Sequence, residues 1–248
     1  MSQEISSEIR KNIGIITIKT ADGLNTLNRQ MLADIAEAAT SMDMNDEVKV
    51  LVIRGTEKAF SSGIDINEFV ADVTPDILED MYENFEKFAD IKKPIIAAVS
   101  GYALGIGCEM ALASDIVLSS ESACFGHPDL SLGTVPGFGA TQRLTNAIGK
   151  SKTMEMILTG RAINALEAEK CGIVSRVIPL RYLFKEAVKT AERIALLPDL
   201  AVNTSKELIK TAVSNTNLEE GLEIEKQVFK SSIASDEFRQ NLLNMAKK

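Results

Sequence analysis

The chain has 248 residues, of which 45% are hydrophobic and 25% charged, and these proportions are ordinary for a soluble globular protein. They exclude an intrinsically disordered chain, a collagen-like chain and a coiled-coil rod. Lys and Arg number 27 against 35 Asp and Glu, so the net charge is −8. Because a negative surface repels nucleic acid phosphates and anionic lipids, we expect neither nucleic acid nor a membrane as the main partner.

The cysteines and the single histidine do not form a recognisable metal or disulfide pattern. Cys108, Cys124 and Cys171 are too widely spaced for a zinc motif, and His127 is the only imidazole that could join them. We therefore expect free thiols in a reducing compartment and no bound metal. The N-terminal segment is polar, without the apolar core of a signal peptide, and the uncharged stretch at 94–108 is too short to span a membrane. These features predict a cytoplasmic protein.

Hydrophobic periodicity predicts alternating strands and helices. Residues 5–10 and 13–19 alternate apolar and polar side chains around Lys11 and Asn12, which predicts a hairpin, and Asn28 is predicted to cap a helix that ends near residue 40. The further predicted elements are, in chain order, a strand at 48–54, a helix at 74–89, a strand at 94–99, a helix from about 105, a strand at 115–118, and helices at 151–159, 164–171, 181–197, 199–213 and 217–233. This order predicts an α/β core over residues 1–190 and a helical C-terminal region over 191–248.

The first segment that could carry chemistry follows the predicted strand at 48–54. It reads K-A-F-S-S-G-I-D-I over residues 58–66. Gly63, after two serines, allows a positive φ and can turn backbone N–H groups toward a ligand. On this segment alone, an ordinary turn remains the alternative.

The second segment, residues 101–109, is a glycine-rich turn between a predicted strand and a predicted helix. Free amides and the helix dipole at such a turn favour an anion or a developing oxyanion. The glycine spacing is G-x-x-x-G-x-G, which matches neither the dinucleotide-binding motif nor the phosphate loop. Glu109 lies one turn into the predicted helix among apolar neighbours, where a carboxylate is costly unless it is solvated or paired. Glu109 is therefore a candidate functional residue.

The third segment is F-G-H-P-D over residues 125–129, and it continues into a loop rich in glycine and proline at 133–139. Asp129 is a second candidate carboxylate. His127, beside a proline, is more typical of a structural histidine than of a catalytic one. The sequence places no obvious nucleophile next to it, so a Ser-His-Asp or Cys-His arrangement is not indicated.

Together these segments resemble the enoyl-CoA hydratase/isomerase family, also called the crotonase family. The resemblance covers nearly the whole chain and rests on motifs in the family's order. These are L-N-T-L-N at 24–28, V-L-V-I-R-G at 50–55, K-A-F at 58–60, S-G-I-D-I at 62–66, the segment 101–115, F-G at 125–126, Q-R-L at 142–144, L-T-G at 158–160 and G-I-V at 172–174.

The resemblance implies an α/β fold, a crotonase-like spiral of repeated β-β-α units with a C-terminal α-helical trimerisation region. It also implies an acyl-CoA thioester substrate whose carbonyl is held by the backbone N–H groups of Ile64 and Ile106, with Glu109 and Asp129 as the catalytic acid/base pair. The residues that it places against the substrate or its CoA are Lys58, Ala59, Ser62, Gly63, Asp65, Ile66, Gly105, Pro128 and Gly133.

Two departures from the family pattern affect these expectations. Asp129 stands where Glu is more usual, so its carboxylate extends one methylene less far from the backbone. Ile64 and Ile106 stand where small residues are common, which predicts a narrower acyl pocket.

The implied reaction is hydration of an enoyl-CoA, and it requires no cofactor, because coenzyme A is part of the substrate. An enoyl-CoA isomerase that uses one carboxylate is the alternative, and a weakly catalytic CoA-binding structural subunit is an alternative of another class. The resemblance also implies a homotrimer or homohexamer. Apolar side chains that predict such an interface are Met154, Ile157, Leu158, Leu222, Ile224, Val228 and Phe229.

Overall fold

The computed structural model describes residues 4–71, 74–214, 217–235, 238–240 and 242. The chain divides into two compact units, Met1–Leu197 and Pro198–Lys248. The boundary expected after residue 190 falls inside a helix, Leu180–Ile194. The division comes after this helix because Leu183, Ala187 and Ala191 on its buried face belong to the core of the first unit.

Strands occur in the first unit and are short. In chain order they are β1 (Ile5–Arg10), β2 (Ile13–Ile18), β3 (Thr26–Leu27), β4 (Val50–Arg54), β5 (Ala59–Ser61), β6 (Gly63–Ile64), β7 (Ile95–Val99), β8 (Tyr102–Leu104), β9 (Ile116–Ser120), β10 (Cys124–Gly126), β11 (Ile163–Asn164) and β12 (Arg176–Ile178).

The helices alternate with these strands and then follow them. They are α1 (Arg29–Met44), α2 (Ile66–Ala71), α3 (Pro75–Ala89), α4 (Ile106–Ala113), α5 (Ala140–Ile148), α6 (Lys150–Thr159), α7 (Ala165–Cys171), α8 (Leu180–Ile194), α9 (Asp199–Ser214) and α10 (Leu218–Ile233). A single 3-10 turn, Asp129–Leu132, follows β10 within the described residues. The helices α9 and α10 belong to the second unit.

The strands form three sheets. The largest has the spatial order β1-β2-β4-β7-β9-β12, a smaller one has the order β11-β10-β8-β5, and β3 pairs with β6. In the largest sheet only the β1–β2 pair is antiparallel, which confirms the predicted hairpin, with Ile5 opposite Ile18 and Arg10 opposite Ile13. In the smaller sheet β5, β8 and β10 are parallel, and β11 is antiparallel to β10.

The connection of these sheets is the β-β-α spiral that the family resemblance implies. In each of three successive turns the chain contributes one strand to the large sheet and the next strand to the small sheet, as β4 and β5, β7 and β8, and β9 and β10. The first two turns then lead into α2 and α3 and into α4, and the third leads through the 3-10 turn into α5. Each turn of the spiral therefore delivers one loop to the same edge of the small sheet.

The large sheet is buried on both faces, because alternate residues of its strands enter two separate hydrophobic clusters. Leu51 and Ile53 of β4 lie in the larger cluster, which also contains buried side chains of α1 and α3. Val50 and Val52 lie in the second cluster, which α8 covers. This explains why β4 and β7 read as continuous apolar runs rather than as alternating ones.

Most of the longer predicted elements are present, with shifted ends. Helix α1 continues to Met44, beyond the predicted end near residue 40, because its buried stripe continues to Met42. The helix expected at 181–197 ends at Ile194. Helices α2 and α5 and the two- and three-residue strands were not predicted. Strands of two or three residues are too short to show a periodicity.

Candidate active site

The carboxyl ends of β5, β8 and β10 lie side by side, because these strands are parallel neighbours in the small sheet. The three segments singled out in the sequence follow these three ends: residues 62–66 after β5, Gly105 after β8, and His127 to Asp129 after β10. In open parallel sheets, ligands bind outside the carboxyl ends of the strands. The spiral therefore gathers three segments that are distant in sequence at one binding edge.

The three segments meet around Gly105. This residue has φ +49° and ψ −126°, a conformation open almost only to glycine. An ideal Cβ placed on Gly105 would lie 3.8 Å from Oδ1 of Asp129 and 3.9 Å from Cα of Gly63. The space beside Gly105 is therefore in contact with both the first and the third segments. The Asp129 carboxylate faces the turns of the other two segments.

Two backbone N–H groups are free to point into this site. Ile106 is the first residue of α4, so its N–H has no acceptor within the helix. Ile64 pairs with Leu27 in the parallel β3–β6 ladder, and the N–H of the following residue, Asp65, donates to the Leu27 carbonyl oxygen at 2.9 Å. Because successive N–H groups of a strand point to opposite sides, the N–H of Ile64 points away from β3.

Glu109 is a buried carboxylate held by backbone amides. The residue is 1% exposed, and its Oε1 accepts hydrogen bonds from the N–H groups of Phe138 and Ala140, both at 2.9 Å. Both bonds within the described residues go to Oε1, so Oε2 is the oxygen available to a water. Burial raises the pKa of Glu109 and the nearby Asp129 charge adds to this rise, while the bonds from the two amides and the charge of His127 oppose it.

Aromatic packing fixes the turn that carries the two amides. The Phe138 ring lies 4.9 Å from the Tyr82 ring and 5.4 Å from the Phe85 ring, measured between centroids. Nη1 of Arg143 donates to the Phe138 carbonyl oxygen at 2.9 Å, and the guanidinium of Arg143 lies 5.6 Å from the centre of the Phe85 ring. The position of Glu109 therefore depends on contacts made from α3 and α5.

Asp129 and His127 form a second polar pair at this edge. Nδ1 of His127 lies 3.5 Å from Oδ2 of Asp129, with the imidazole fully buried and the carboxylate 20% exposed. Asp129 is also close enough to Glu109 for its charge to raise the pKa of Glu109. The site therefore combines two carboxylates with two outward-pointing amides, an arrangement suited to proton transfer beside a developing oxyanion.

A profile of the enoyl-CoA hydratase/isomerase family matches residues 8–248. The chain belongs to this family. It is 40% identical to a probable mitochondrial enoyl-CoA hydratase of Dictyostelium discoideum over 96% of this chain and 86% of that protein. It is 41% identical to a probable enoyl-CoA hydratase of Mycobacterium bovis over 95% of this chain and 91% of that protein. It superimposes on a crystal structure of an enoyl-CoA hydratase subunit from Geobacillus kaustophilus with a TM-score of 0.92 at 38% identity, covering 98% and 95% of the two chains.

Within this family framework, the first segment contributes mainly backbone to the site. Because the Ala59 side chain is fully buried, it is not available to a substrate. The carbonyl oxygen of Ala59 accepts from Nδ2 of Asn25 at 2.7 Å. Lys58 is exposed and its Nζ donates to the Asp22 carbonyl oxygen at 3.0 Å. The N–H of Ser62 donates to the Leu24 carbonyl oxygen at 2.9 Å.

The remaining residues predicted to contact substrate lie on the flanks of the site. Oδ1 of Asp65 accepts from the N–H of Asn67 at 3.0 Å at the start of α2, and Ile66 is half exposed there. The Pro128 carbonyl oxygen accepts from Oγ of Ser131 at 2.6 Å. Gly133 ends the 3-10 turn in a left-handed conformation, one turn beyond Asp129.

The two isoleucines of the expected oxyanion positions differ in how far their side chains are buried. Ile106 is 3% exposed and lies within the larger hydrophobic cluster, and Ile64 packs against the same cluster with partial exposure. The bulk of Ile106 therefore adds to the core, whereas Ile64 keeps part of its surface exposed.

Two features of the site are not predicted by the sequence. The amides of Phe138 and Ala140 were not assigned to Glu109, although the glycines flanking Phe138 marked an unusual loop. His127 was interpreted as structural, yet it lies beside Asp129. Any residue except proline can donate a backbone N–H, so the sequence does not show which amides bind Glu109. The contact between His127 and Asp129 depends on the path of the chain after β10.

Neither a candidate membrane span nor a candidate metal site lies among the described residues. None of their helices combines the length and the apolar character needed to cross a membrane. No group of three or more His, Cys, Asp and Glu side chains in these ranges is arranged to hold a metal ion.

Proposed function

We propose that this protein adds water across the 2,3 double bond of an enoyl-CoA thioester. The observation that carries the proposal is the meeting of two carboxylates, Glu109 and Asp129, with the amides of Ile64 and Ile106 at one edge of the small sheet. Relatives at about 40% identity that are named enoyl-CoA hydratase support the same reaction.

The two amides serve as the oxyanion hole. The thioester carbonyl oxygen accepts from the N–H groups of Ile64 and Ile106, and these dipoles stabilise the negative charge that develops when water attacks Cβ. Fixed dipoles and the N-terminus of α4 provide this stabilisation. An acidic protein can therefore bind an anionic CoA ester without a strongly basic surface.

The two carboxylates handle the protons of the added water. One of them, ionised, takes a proton from the water as its oxygen forms a bond to Cβ. The other, protonated, delivers a proton to Cα as the enolate collapses to the thioester. Burial raises the pKa of Glu109, so this carboxyl takes up a proton more readily than a solvated glutamate does. In this proposal the reaction uses no cofactor and no metal, since coenzyme A arrives with the substrate.

Isomerisation of the double bond is the second candidate, because the family is named for both hydratases and isomerases. A proton shuttle between two carbons needs only one carboxylate. Here a second carboxylate, Asp129, is held close to Glu109 and faces the same turn. This second carboxylate favours hydration.

The direct test is an assay with crotonyl-CoA, in which hydration abolishes the conjugated absorbance of the enoyl thioester. We expect the wild-type protein to show this loss and Glu109→Gln to reduce its rate by about 10²- to 10⁴-fold. Glu37→Gln, at an exposed position on α1, is the matched control and should retain full activity. If Glu109→Gln turns over at the wild-type rate, Glu109 is not part of the mechanism, and a single-carboxylate isomerase using Asp129 becomes the better hypothesis.

We also propose that the protein works as a homotrimer or homohexamer. The second unit exposes large apolar side chains: Ile209 of α9 is 66% exposed, and Leu222 and Phe229 of α10 are 54% and 61% exposed. A groove of about 530 Å³ lies between these two helices, lined by Leu208, Phe229 and other residues. Patches of this kind on a helical surface are typical of protein interfaces. Ile157, expected on such a face, is buried in the core of its own chain.

For the compartment we propose the cytoplasm. Cys108, Cys124 and Cys171 are all free thiols in the structure, which fits a reducing environment. The Dictyostelium relative is named as mitochondrial, so cell fractionation with an antibody against the native protein is the appropriate measurement. Recovery in an organelle fraction would contradict the proposal.

A further inference from the structure

His127 is a buried polar side chain that the proposed reaction does not use. It is fully buried, and neither of its ring nitrogens has a hydrogen-bond partner within the described residues. Oδ2 of Asp129 is also buried without a hydrogen bond there. Buried polar atoms of this kind cost about 1–3 kcal/mol each and are rare in native proteins. Three of them in one place indicate a functional arrangement.

Two of these atoms face each other. Nδ1 of His127 and Oδ2 of Asp129 are 3.5 Å apart, a few tenths of an ångström beyond an ordinary N–H···O hydrogen bond. The two residues are separated only by Pro128, whose ring restricts the backbone between them. A small movement of either side chain brings donor and acceptor into hydrogen-bond range.

The two oxygens of Asp129 have different surroundings. Oδ2 faces His127, whereas Oδ1 lies 3.8 Å from the position of a Cβ on Gly105, at the turn that precedes the amide of Ile106. One oxygen is thus directed toward the protein and the other toward the reaction site. A group that holds Oδ2 also determines where Oδ1 points.

The ionisable groups that face His127 are Cys108 and Glu109 from α4 and Asp129 from the 3-10 turn. Burial by itself lowers the pKa of His127, but the interactions with Cys108, Asp129 and Glu109 outweigh burial and raise it. Cys108 makes the largest contribution to this rise of the His127 pKa, and the carboxylates of Asp129 and Glu109 add to it. A protonated imidazole between them would in turn favour their ionised forms.

We propose that His127 is a positioning residue for hydration: its imidazole holds Oδ2 of Asp129, so that Oδ1 stays directed at the reaction site. The proposal rests on the proposed function, in which Asp129 is one of the two carboxylates. It gives a role to a histidine whose neighbouring proline suggested only a structural one. It also explains how a short Asp keeps a defined position at a partly exposed site.

The first test compares His127→Leu, which removes the donor, with His127→Gln, which keeps a neutral donor. We expect His127→Leu to lower kcat for crotonyl-CoA by about 10- to 100-fold with KM changed less than about twofold, since misplacing a reacting group by 1 Å can cost about 100-fold. His127→Gln should recover part of kcat. In both variants the acidic limb of the kcat/KM profile should move upward by about one pH unit, because the cation that favours ionised carboxylates is gone.

Two controls separate positioning from packing. Cys108→Ala removes a neighbour of the same imidazole without changing Asp129, and it should keep kcat within about twofold of wild type. In an Asp129→Asn background, His127→Leu should have no further effect on kcat, since the group that it positions is already inactive. Three results would each overturn the proposal. The first is a folded His127→Leu variant with the kcat and the pH profile of the wild type. The others are a loss in Cys108→Ala equal to that in His127→Leu, and additive losses in the double variant.

A second measurement does not depend on activity. His127 is the only histidine in the chain, so the ring signals of ¹³C,¹⁵N-histidine-labelled protein report on it without ambiguity. We expect a doubly protonated ring at pH 7 in the wild type, and a lowered ring pKa in Asp129→Asn. A neutral wild-type ring that does not respond to Asp129→Asn would refute the positioning contact. Absence of crotonyl-CoA hydration with the expected NMR behaviour would instead refute the proposed function alone.

Discussion

Glu109, which we propose as one of the two catalytic carboxylates, is also a residue that opposes stability. Its carboxylate is buried, and the amides of Phe138 and Ala140 compensate only in part, so the net effect is a raised pKa. A raised pKa lets this carboxyl take up a proton more readily than a solvated glutamate does, which suits a group that exchanges protons with a substrate. Its charged form, however, is less favourable in the folded state than in the unfolded chain.

This leads to a prediction about stability and pH. A carboxyl with a raised folded-state pKa contributes stability that is present below its unfolded pKa and is lost as pH rises through the folded pKa. Glu109→Gln keeps an oxygen that can accept from both amides but cannot ionise. The variant should therefore gain stability relative to wild type as pH increases from 4 to 8. Thermal unfolding of both proteins across this range measures the difference, and the exposed Glu37→Gln variant should show none.

A second prediction at this scale concerns the short side chain of Asp129. Asp129→Asn keeps the shape but cannot exchange a proton, so hydration of crotonyl-CoA should fall by about 100-fold or more. Asp129→Glu restores the more usual family residue, yet the added methylene must fit against the buried His127 ring, at a cost of about 1–3 kcal/mol. It should therefore not increase kcat.

Full hydratase activity in Asp129→Asn would exclude the two-carboxylate mechanism. A strong new activity in Asp129→Glu would show that the natural enzyme is not a simple hydratase and that a different CoA thioester reaction should be sought.

At the scale of elements, the site depends on how closely α4 approaches β5. An ideal Cβ on Gly107 of α4 would lie 2.5 Å from the Ser61 carbonyl oxygen and 2.7 Å from the Ser61 Cβ. Because these contacts involve the backbone of a buried strand, they cannot be relieved by moving a flexible side chain. The helix that carries Ile106 and Glu109 therefore sits against the strand that precedes the first oxyanion loop only because residue 107 has no side chain.

We predict that Gly107→Ala separates these two elements and costs about 1–3 kcal/mol of stability through overpacking. It should also lower hydration more than substrate binding, since Ile106 and Glu109 move together. Gly221→Ala is the matched control, because Gly221 is also helical and nothing lies near the position of its Cβ. That variant should be neutral or more stable by about 1 kcal/mol from helix propensity. Chemical denaturation and steady-state kinetics of both variants test the contact, and equal behaviour of the two would disprove it.

At the scale of the whole molecule, the two units differ in what their apolar residues do. In the first unit, Ile53 and Ile96 of neighbouring strands are completely buried. In the second unit, α9 and α10 leave Ile209 and Phe229 largely exposed. The apolar surface of α9 and α10 is larger than these two helices can bury against each other. We therefore expect the protein to associate with further copies of itself.

Light scattering tests this association directly. We predict a mass of at least three chains of 26.9 kDa at micromolar concentration. Replacing Phe229 with Lys places a charge on the apolar face and should shift the mass toward the monomer. Lys226→Gln, on the same helix at an exposed position, should leave the mass unchanged. A wild-type monomer of about 27 kDa would refute the predicted oligomer.

Much of the architecture could be predicted from local sequence. The hairpin of β1 and β2 follows from alternation, and the apolar run in β4 follows from burial on both faces of a sheet. The Asn28 cap is present, with its Oδ1 accepting from the N–H of Met31 at 2.8 Å. These features depend on neighbours a few residues away, so periodicity and capping residues report them.

The candidate site could be predicted only in part. Residue types and glycine spacing indicated Glu109, Asp129 and the two turns, because a carboxylate in an apolar helix and glycines at a strand end are unusual wherever they occur. The meeting of Asp129 with Gly105, the two amides that hold Glu109 and the contact of His127 with Asp129 were decided by the tertiary structure. They arise from the parallel register of β5, β8 and β10. That register is set by long-range packing of the whole spiral, which no local pattern in the sequence encodes.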